Sequence, residues 1–317
     1  MLHAREWLIF PRNIGPNLSI DETALSNGDL YTIVSNKDAH GGKGALVAIV
    51  SGTKVEDVVA ALMRIHWYLR CKVREVTMDF SEGMHQIVLQ SFPYATITLD
   101  RFHMQQLATD PMQELRLKYK KEAQKEQNEK RKLFKAQLAE KYEKSLKRRK
   151  KGKKDKRGRK PIRKNKAYVP ERLSNGDTLP ELLTRTHYSL MVSPEKWTGT
   201  QKERMKLLFE RYPDLEKAYS LVHSLRMIFS NTRATWISGY ESMQNWFDKV
   251  REFGNDSFNT AAETIKDRLD EVLNYFIHRA TNASAESLNS KIKQFRAQLR
   301  GVVDIDFFLY RLSMIFG

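Results

Sequence analysis

Residues 18–34 read LSIDETALSNGDLYTIV, and the fold is decided there. An apolar run closes on Asp21, polar residues and Gly28 interrupt it, and DLYTIVSNK begins a second strand at Asp29. GALVAIVSG reads as a third strand, set off by Gly41, Gly42 and Gly44. All three are rich in β-branched and aromatic residues, which suit a pleated, half-buried surface.

Downstream the hydrophobic period changes. Thr53 followed by Glu56 has capping-box spacing, and Val55, Val58, Val59, Leu62, Ile65 and Leu69 recur along one helical face. Residues 73–78 read as a strand, 81–91 as a short helix and 94–99 as a strand running into DRFH. The expected order is β-β-β-α-β-α-β-α. Three meandering strands followed by right-handed crossovers set the first and fourth strands side by side in a mixed sheet. Asp21 and Asp79, the latter closing the strand in REVTMDFSEG, then become neighbours at strand carboxyl ends, where sites of such sheets gather.

A third acid, Glu286, lies near the start of a late helix in TNASAESLNSKIKQFR. Ala285, Leu288, Ile292, Phe295 and Leu299 keep a 3.6-residue period and face a core; Glu286, Asn289, Lys293 and Arg300 form a separate stripe. A few converging carboxylates are what two Mg²⁺ ions, about 4 Å apart, require when they act on phosphodiesters. A solvated helix face with ordinary charge pairing is the alternative for that stripe.

Taken together, LSIDETALSNGDLYTIV, TMDFSEGM, FPYATITLDRFH, TNASAESLNSKIKQFR and FFLYRL resemble the transposases of bacterial ISL-three type insertion sequences. The resemblance spans nearly the whole chain, and DRFH together with the Asn-Ala-Glu helix followed by KIK is its most specific part. It implies a DDE enzyme with a ribonuclease H-like core: an α/β mixed sheet, three strands antiparallel and the rest parallel, with a large all-helical insertion. The implied chemistry is metal-dependent strand cleavage at transposon ends and joining of a 3′-OH to target DNA, with two Mg²⁺ ions for which Mn²⁺ substitutes. Residue by residue, the metal-binding and catalytic triad falls on Asp21, Asp79 and Glu286. Asp100 also ends a strand and rivals Asp79, which is favoured because the fourth strand adjoins the first. Asp100 and His103 resemble the Asp-x-x-His pair that follows the second acid in related groups, and His103 is then a positioning group or a structural histidine at the strand–helix junction. Glu22 and Asp29 read as surface or turn residues.

The formal net charge is +17 and the pI about 9.7, the footprint of a polyanion binder. Residues 147–166, KRRKKGKKDKRGRKPIRKNK, carry 14 Lys/Arg against one Asp, leaving only +4 for the other residues. With Gly152, Gly158 and Pro161 and almost nothing apolar, the run is expected to be disordered alone and to contact DNA phosphates through Arg148, Arg149, Lys150, Lys151, Lys153, Lys154, Arg157, Arg159 and Lys160. Asn289, Lys293 and Arg300 are further candidates for the DNA backbone.

The expected organisation is a core in two parts, residues 1–110 and 271–317, around a helical insertion over 111–270. Within the insertion, 113–146 reads as a mostly exposed helix, and further amphipathic helices follow in TLPELLTRTHYSLMV, TQKERMKLLFERYP, DLEKAYSLVHSLRMIF and ESMQNWFDKVREF. Trp197, Trp236 and Trp246 read as core residues.

The single Cys71 argues against a disulfide framework or a Cys-rich zinc site. No apolar run reaches about 18 residues, and MLHAREWLIFPRN lacks a signal-peptide pattern, so a cytoplasmic, nucleoid-associated protein without a membrane partner is expected. GGKGA lacks phosphate-loop spacing, and no nucleophile elbow is present. Members of the family normally carry an N-terminal zinc and helix-turn-helix region, for which Asp21 leaves no room; a separate DNA-binding polypeptide and homo-oligomers on double-stranded DNA are therefore expected. A ribonuclease H-like nuclease or resolvase, and an inactive DNA-binding remnant, are the alternative functions.

Deleting residues 147–166 is expected to weaken DNA binding equally across sequences. The slope of log affinity against log salt should fall by about 0.9 for each phosphate that the run neutralises. Binding titrations over a salt series measure this, and an unchanged slope would reduce the run to a linker.

Overall fold

A computed structural model describes residues 5–26, 29–150, 166–302 and 304–317. Strand β1 (Trp7–Ile9) precedes the meander β2 (Asn17–Ser26), β3 (Asp29–Asn36) and β4 (Leu46–Ser51). Helices α1 (Val55–Leu62) and α2 (Trp67–Arg70) lead to β5 (Glu75–Met78). Helix α3 (Glu82–Ser91), β6 (Thr96–Leu99) and the 50-residue α4 (Arg101–Lys150) follow. Then come α5 (Leu179–Arg185), α6 (Gly199–Arg211), α7 (Pro213–Ser230), α8 (Trp236–Phe253), α9 (Asp256–Asp267), α10 (Leu269–Leu273), α11 (Tyr275–His278), α12 (Ala283–Gln298) and α13 (Ile305–Phe316).

The six strands form one mixed sheet in the order β1-β4-β3-β2-β5-β6. The first four pair antiparallel, whereas β2 with β5 and β5 with β6 pair parallel. The expected first and fourth strands, β2 and β5, are therefore neighbours at the centre.

Alternation along the strands gives the two faces different chemistry. One carries Leu18, Ile20, Val34, Val76, Met78 and Leu99, all buried, with the crossover helices α1 and α3 packed against β4 and β5. The opposite face is divided. Over β1, β4 and β3 it is apolar, and Leu8, Ile49 and Ile33 join Leu288 and Ile292 of α12 and Phe308, Leu309 and Leu312 of α13 in one cluster. Over β2, β5 and β6 it turns polar. Ser35, Ser19, Thr77 and Thr98 are register partners on four adjacent strands, each at most 1% exposed, and the Ser19 and Ser35 hydroxyls are 2.9 Å apart. One step nearer the strand starts, Lys37 Nζ donates to Glu75 Oε1 at 2.9 Å and to Thr77 Oγ1 at 2.7 Å.

Three local expectations fail for identifiable reasons. Helix α1 starts at Val55 with Lys54 as its N-cap and no side-chain cap bond, so Thr53 lies one residue too early for a capping box. The helical face does not continue to Leu69, because His66 Nδ1 accepts the Tyr68 N–H and starts α2 afresh. Strand β1, three residues on the sheet edge, is too short to give a period in sequence. In addition, α5 ends at Arg185 instead of running through Val192, and residues 189–191 form a separate 3₁₀ turn.

The chain divides into two compact units, Met1–Ala108 with Ser224–Gly317, and Thr109–His223. The second unit ends at His223. In the first unit, helix α10 packs along β6, and Asn274 Nδ2 donates to the Ile97 carbonyl at 2.8 Å. Trp246 is core here, 1% exposed, while Trp236 is half-buried against Tyr240. In the second unit, buried Asp177 is gripped by Arg185 and by Arg204 Nε at 2.8 Å, and Trp197 donates Nε1–H to the Ser189 carbonyl. Among the described residues, no helix is long and apolar enough to cross a membrane.

The Lys37–Glu75 pair is the costliest element of the polar face to disturb, since both side chains are nearly buried. Lys37→Met is expected to lower the unfolding free energy by about 3 kcal/mol by stranding the Glu75 charge. Adding Glu75→Leu should recover most of that loss. Urea denaturation of both variants measures it.

Candidate active site

The site begins where parallel pairing between β2 and β5 stops. The register pairs Asn17 with Glu75, Leu18 with Val76 and Ser19 with Thr77. Two residues further along stand Asp21, still in β2, and Asp79, just past the end of β5; strand alternation carried that far would set both on the face of the hydroxyl row. The β5–β6 register, Met78 with Leu99, continues the alignment to Asp100, whose N–H donates to the Met78 carbonyl at 2.8 Å. Neighbouring strands lie about 4.8 Å apart, and this register, continued past the paired residues, would set the three aspartates at one level, one from each chain segment. Asp21 does not close its strand, contrary to expectation: β2 continues to Ser26 against β3, and only the pairing with β5 ends.

The three acids are held differently. Asp79 Oδ1 accepts the Ser81 N–H at 2.8 Å in the turn before α3, and its side chain is half-buried. Asp100 is 3% exposed and has both oxygens committed, Oδ1 to the Asn282 N–H at 3.0 Å and Oδ2 to the Phe102 N–H at 3.1 Å. It ties the starts of α4 and α12 to β6. Asp21 Oδ1 accepts the Glu22 N–H at 2.8 Å, and Oδ2 accepts Asn289 Nδ2–H at 2.6 Å.

Burial pushes the Asp21 carboxyl above the usual aspartate range, and the charge of Asp79 pushes it further; the Glu22 N–H, the His103 ring and the Asn289 amide act against this. Glu22 is raised too, by burial and then by the charges of Asp79 and Asp21. Sequence reasoning passed over Glu22, whose only signal was adjacency. His103 joins the site through its effect on Asp21, and its ring meets that of Phe102 nearly at right angles, with centroids 5.7 Å apart.

Helix α12 is fixed over β2 and β3 by polar contacts beyond its apolar face. Lys291 Nζ donates to the Gly41 carbonyl at 2.7 Å and Ser284 Oγ to the Lys37 carbonyl at 3.2 Å. Gly41 has φ +68, and a Cβ there would stand 3.1 Å from the Leu288 nitrogen, so the β3–β4 connection approaches the helix closely only because residue 41 lacks a side chain.

On this helix the expected stripe separates. Asn289 is buried and gives its amide to Asp21 instead of facing outward. Lys293 is exposed. Arg300 lies beyond the helix end at Gln298, in a left-handed conformation with φ +56, and Leu299 is 43% exposed instead of packed. Glu286 is exposed one turn before Asn289. Among the described residues, no three His, Cys, Asp or Glu side chains are grouped so as to hold a metal. The side chains of Arg148, Arg149 and Lys150, and all of Lys151, Lys153, Lys154, Arg157, Arg159 and Lys160, lie outside the described residues.

The donors present suit a hard cation. Asp21 and Asp79 offer adjacent carboxylate oxygens whose mutual repulsion a divalent ion relieves, and each oxygen engaged with one N–H keeps a further lone pair.

A family model described as a transposase, of the ISL3 DDE type, matches residues 18–312. No curated protein and no solved structure matches the chain.

Because its carboxyl is raised, folded Asp21 binds its proton more tightly than the unfolded chain does, so stability falls as pH rises from the ordinary value of 3.8. Asp21→Asn removes that penalty. Its melting temperature should exceed that of the unsubstituted protein at neutral pH, with the gain vanishing below about pH 4. Thermal melts across pH check the sign, and a loss of stability at neutral pH would contradict it.

Proposed function

The chain belongs to the ISL3-type family of DDE transposases, and from that membership we propose that its aspartate row cuts DNA at insertion-sequence ends and joins the freed 3′-OH to target DNA. The observation that carries this reading is that β2 and β5 pair in parallel up to Ser19 and Thr77, two residues before Asp21 and Asp79, and that the Asp79 charge raises the Asp21 carboxyl. The meander-then-crossover strand order supports a ribonuclease H-like core, whose ligands gather at strand carboxyl ends.

In this reading Asp21 and Asp79 hold two Mg²⁺ ions, or Mn²⁺ in their stead. When bound, such ions supply positive charge to the attacking and leaving oxygens of an in-line displacement. Glu286 completes the ligand set: it is exposed one turn before the Asn289–Asp21 contact, so its side chain has room to turn toward the aspartates. Asn289 and His103 orient and electrostatically support Asp21. Asp100 is a positioning residue, because its two backbone bonds leave it serving the fold. Lys293, exposed on the glutamate helix, and the run 147–166 contact phosphates without reading sequence. Double-stranded DNA is the partner, engaged by homo-oligomers and aided by a separate DNA-binding polypeptide, in the cytoplasm at the nucleoid.

The exposure of Glu286, with no carboxylate cluster around it among the described residues, favours a second reading, a DNA-binding remnant that no longer cuts. The experiment that decides is cleavage and strand transfer on a transposon-end duplex with Mg²⁺. Asp79→Ala and Glu286→Ala should each reduce cleavage by at least about a hundredfold with folding and DNA binding intact, the loss expected when reacting groups are misplaced. Asp100→Ala should instead lower the melting temperature. Normal cleavage by Glu286→Ala would remove it from the triad, cleavage without joining would mark a nuclease, and no cleavage by the unsubstituted protein would favour the remnant.

A further inference from the structure

The rim of the aspartate row carries an exposed aromatic ring that the cutting chemistry does not use. Phe102 is 61% exposed, although its neighbours Asp100 and Met104 are 3% and 2% exposed. Its backbone N–H donates to Asp100 Oδ2 at 3.1 Å, which fixes the residue beside the row. Its ring and that of His103 meet nearly at right angles, with centroids 5.7 Å apart. Two guanidinium groups, one of them on the preceding residue, share a support at Tyr275. Arg101 donates to the Tyr275 hydroxyl at 3.3 Å. Arg279, in a left-handed conformation at φ +53, lies over the Tyr275 and Phe276 rings and donates to the Thr232 and Ala234 carbonyls. The chemistry is thus an exposed aromatic ring, next in sequence to a guanidinium, on a residue bonded to Asp100.

We propose that Phe102 is a stacking platform for an unpaired nucleotide of the DNA adjoining the cut, with Arg101 and Arg279 against the phosphates of that strand. A base inside a duplex keeps its faces against its neighbours, so an exposed ring can stack only on one that has left the helix. A phenyl ring neither donates nor accepts hydrogen bonds, so the platform distinguishes paired from unpaired DNA and not one base from another. A core role for the ring conflicts with its exposure. The proposal deepens the reading of the acid row as a DNA-cutting site and rests on it for the identity of the strand.

The test measures binding by the full chain in the absence of divalent metal, so that no cleavage is needed. The probes are a blunt duplex and the same duplex with a short unpaired 3′ tail carrying 2-aminopurine, whose fluorescence is quenched on stacking. The unsubstituted protein should prefer the tailed duplex and quench the probe. Phe102→Ala should lose about tenfold in affinity for the tailed duplex, keep its affinity for the blunt one and leave the probe bright. Phe102→Trp should retain both effects and Phe102→Leu should not, with melting temperatures unchanged in all three. Equal binding of the two duplexes by the unsubstituted protein, equal loss on both in Phe102→Ala, or retained quenching in Phe102→Ala would each overturn the proposal. If tail preference holds while the unsubstituted protein fails to cut in Mg²⁺, the platform stands and the cutting site falls; the reverse pair of results removes the platform alone.

Discussion

The parallel pairing of β2 with β5 is the constraint from which the site follows. Three register pairs suffice to bring Ser19 opposite Thr77, and the period of two then obliges Asp21 and Asp79 to face the same way. A slip of one residue in either strand would turn its aspartate into the apolar layer beneath α1 and α3. The alignment is costly to Asp21, whose ionisation is opposed first by burial and then by the charge of Asp79 beside it. The divided sheet face makes that cost tolerable. Its apolar half over β1, β4 and β3 is sealed by α12 and α13, while the polar half ends in acids where β2 and β5 part.

Helix α12 is the second fixed point. Its apolar residues settle it on the sheet, but its angle and register are set by polar contacts to Asp21, Asp100, Lys37 and Gly41. Every one of these partners lies within or next to the acid row or on the β3–β4 connection. The helix that carries Glu286 is therefore positioned by Asp21, Asp100 and the β3–β4 connection, and Gly41 permits the approach.

The topology was legible because its signals are local. Runs such as DLYTIVSNK and GALVAIVSG declare strands by composition, and the crossover rule converts their order into an arrangement. The adjacency of Asp21 and Asp79 followed from that alone. What escaped was set by tertiary contacts. Asn289 reads as one more polar residue on an exposed stripe, and only the closeness of β2 shows its amide spent on Asp21. Arg300 keeps the spacing of a helix that ends two residues before it, at Gln298. Thr53 and Glu56 have the right separation for a cap, yet the chain turns helical one residue later than the motif requires. The continuation of β2 past Asp21 was hidden by Glu22 and Thr23, polar residues that pair with β3 nonetheless.

The bond from Asn289 to Asp21 also bears on how the molecule is born. It joins residues 268 positions apart. At a synthesis rate of about 5–20 residues per second, roughly 15–50 s separate the emergence of the first acid from that of its partner helix. Throughout that interval the growing chain holds both aspartates without the helix that orients one of them and carries Glu286. The strands can pair while still tethered to the ribosome, but the acid row is completed only near the end of translation. A chain cut short before α12 would therefore carry the sheet with Asp21 deprived of the Asn289 amide.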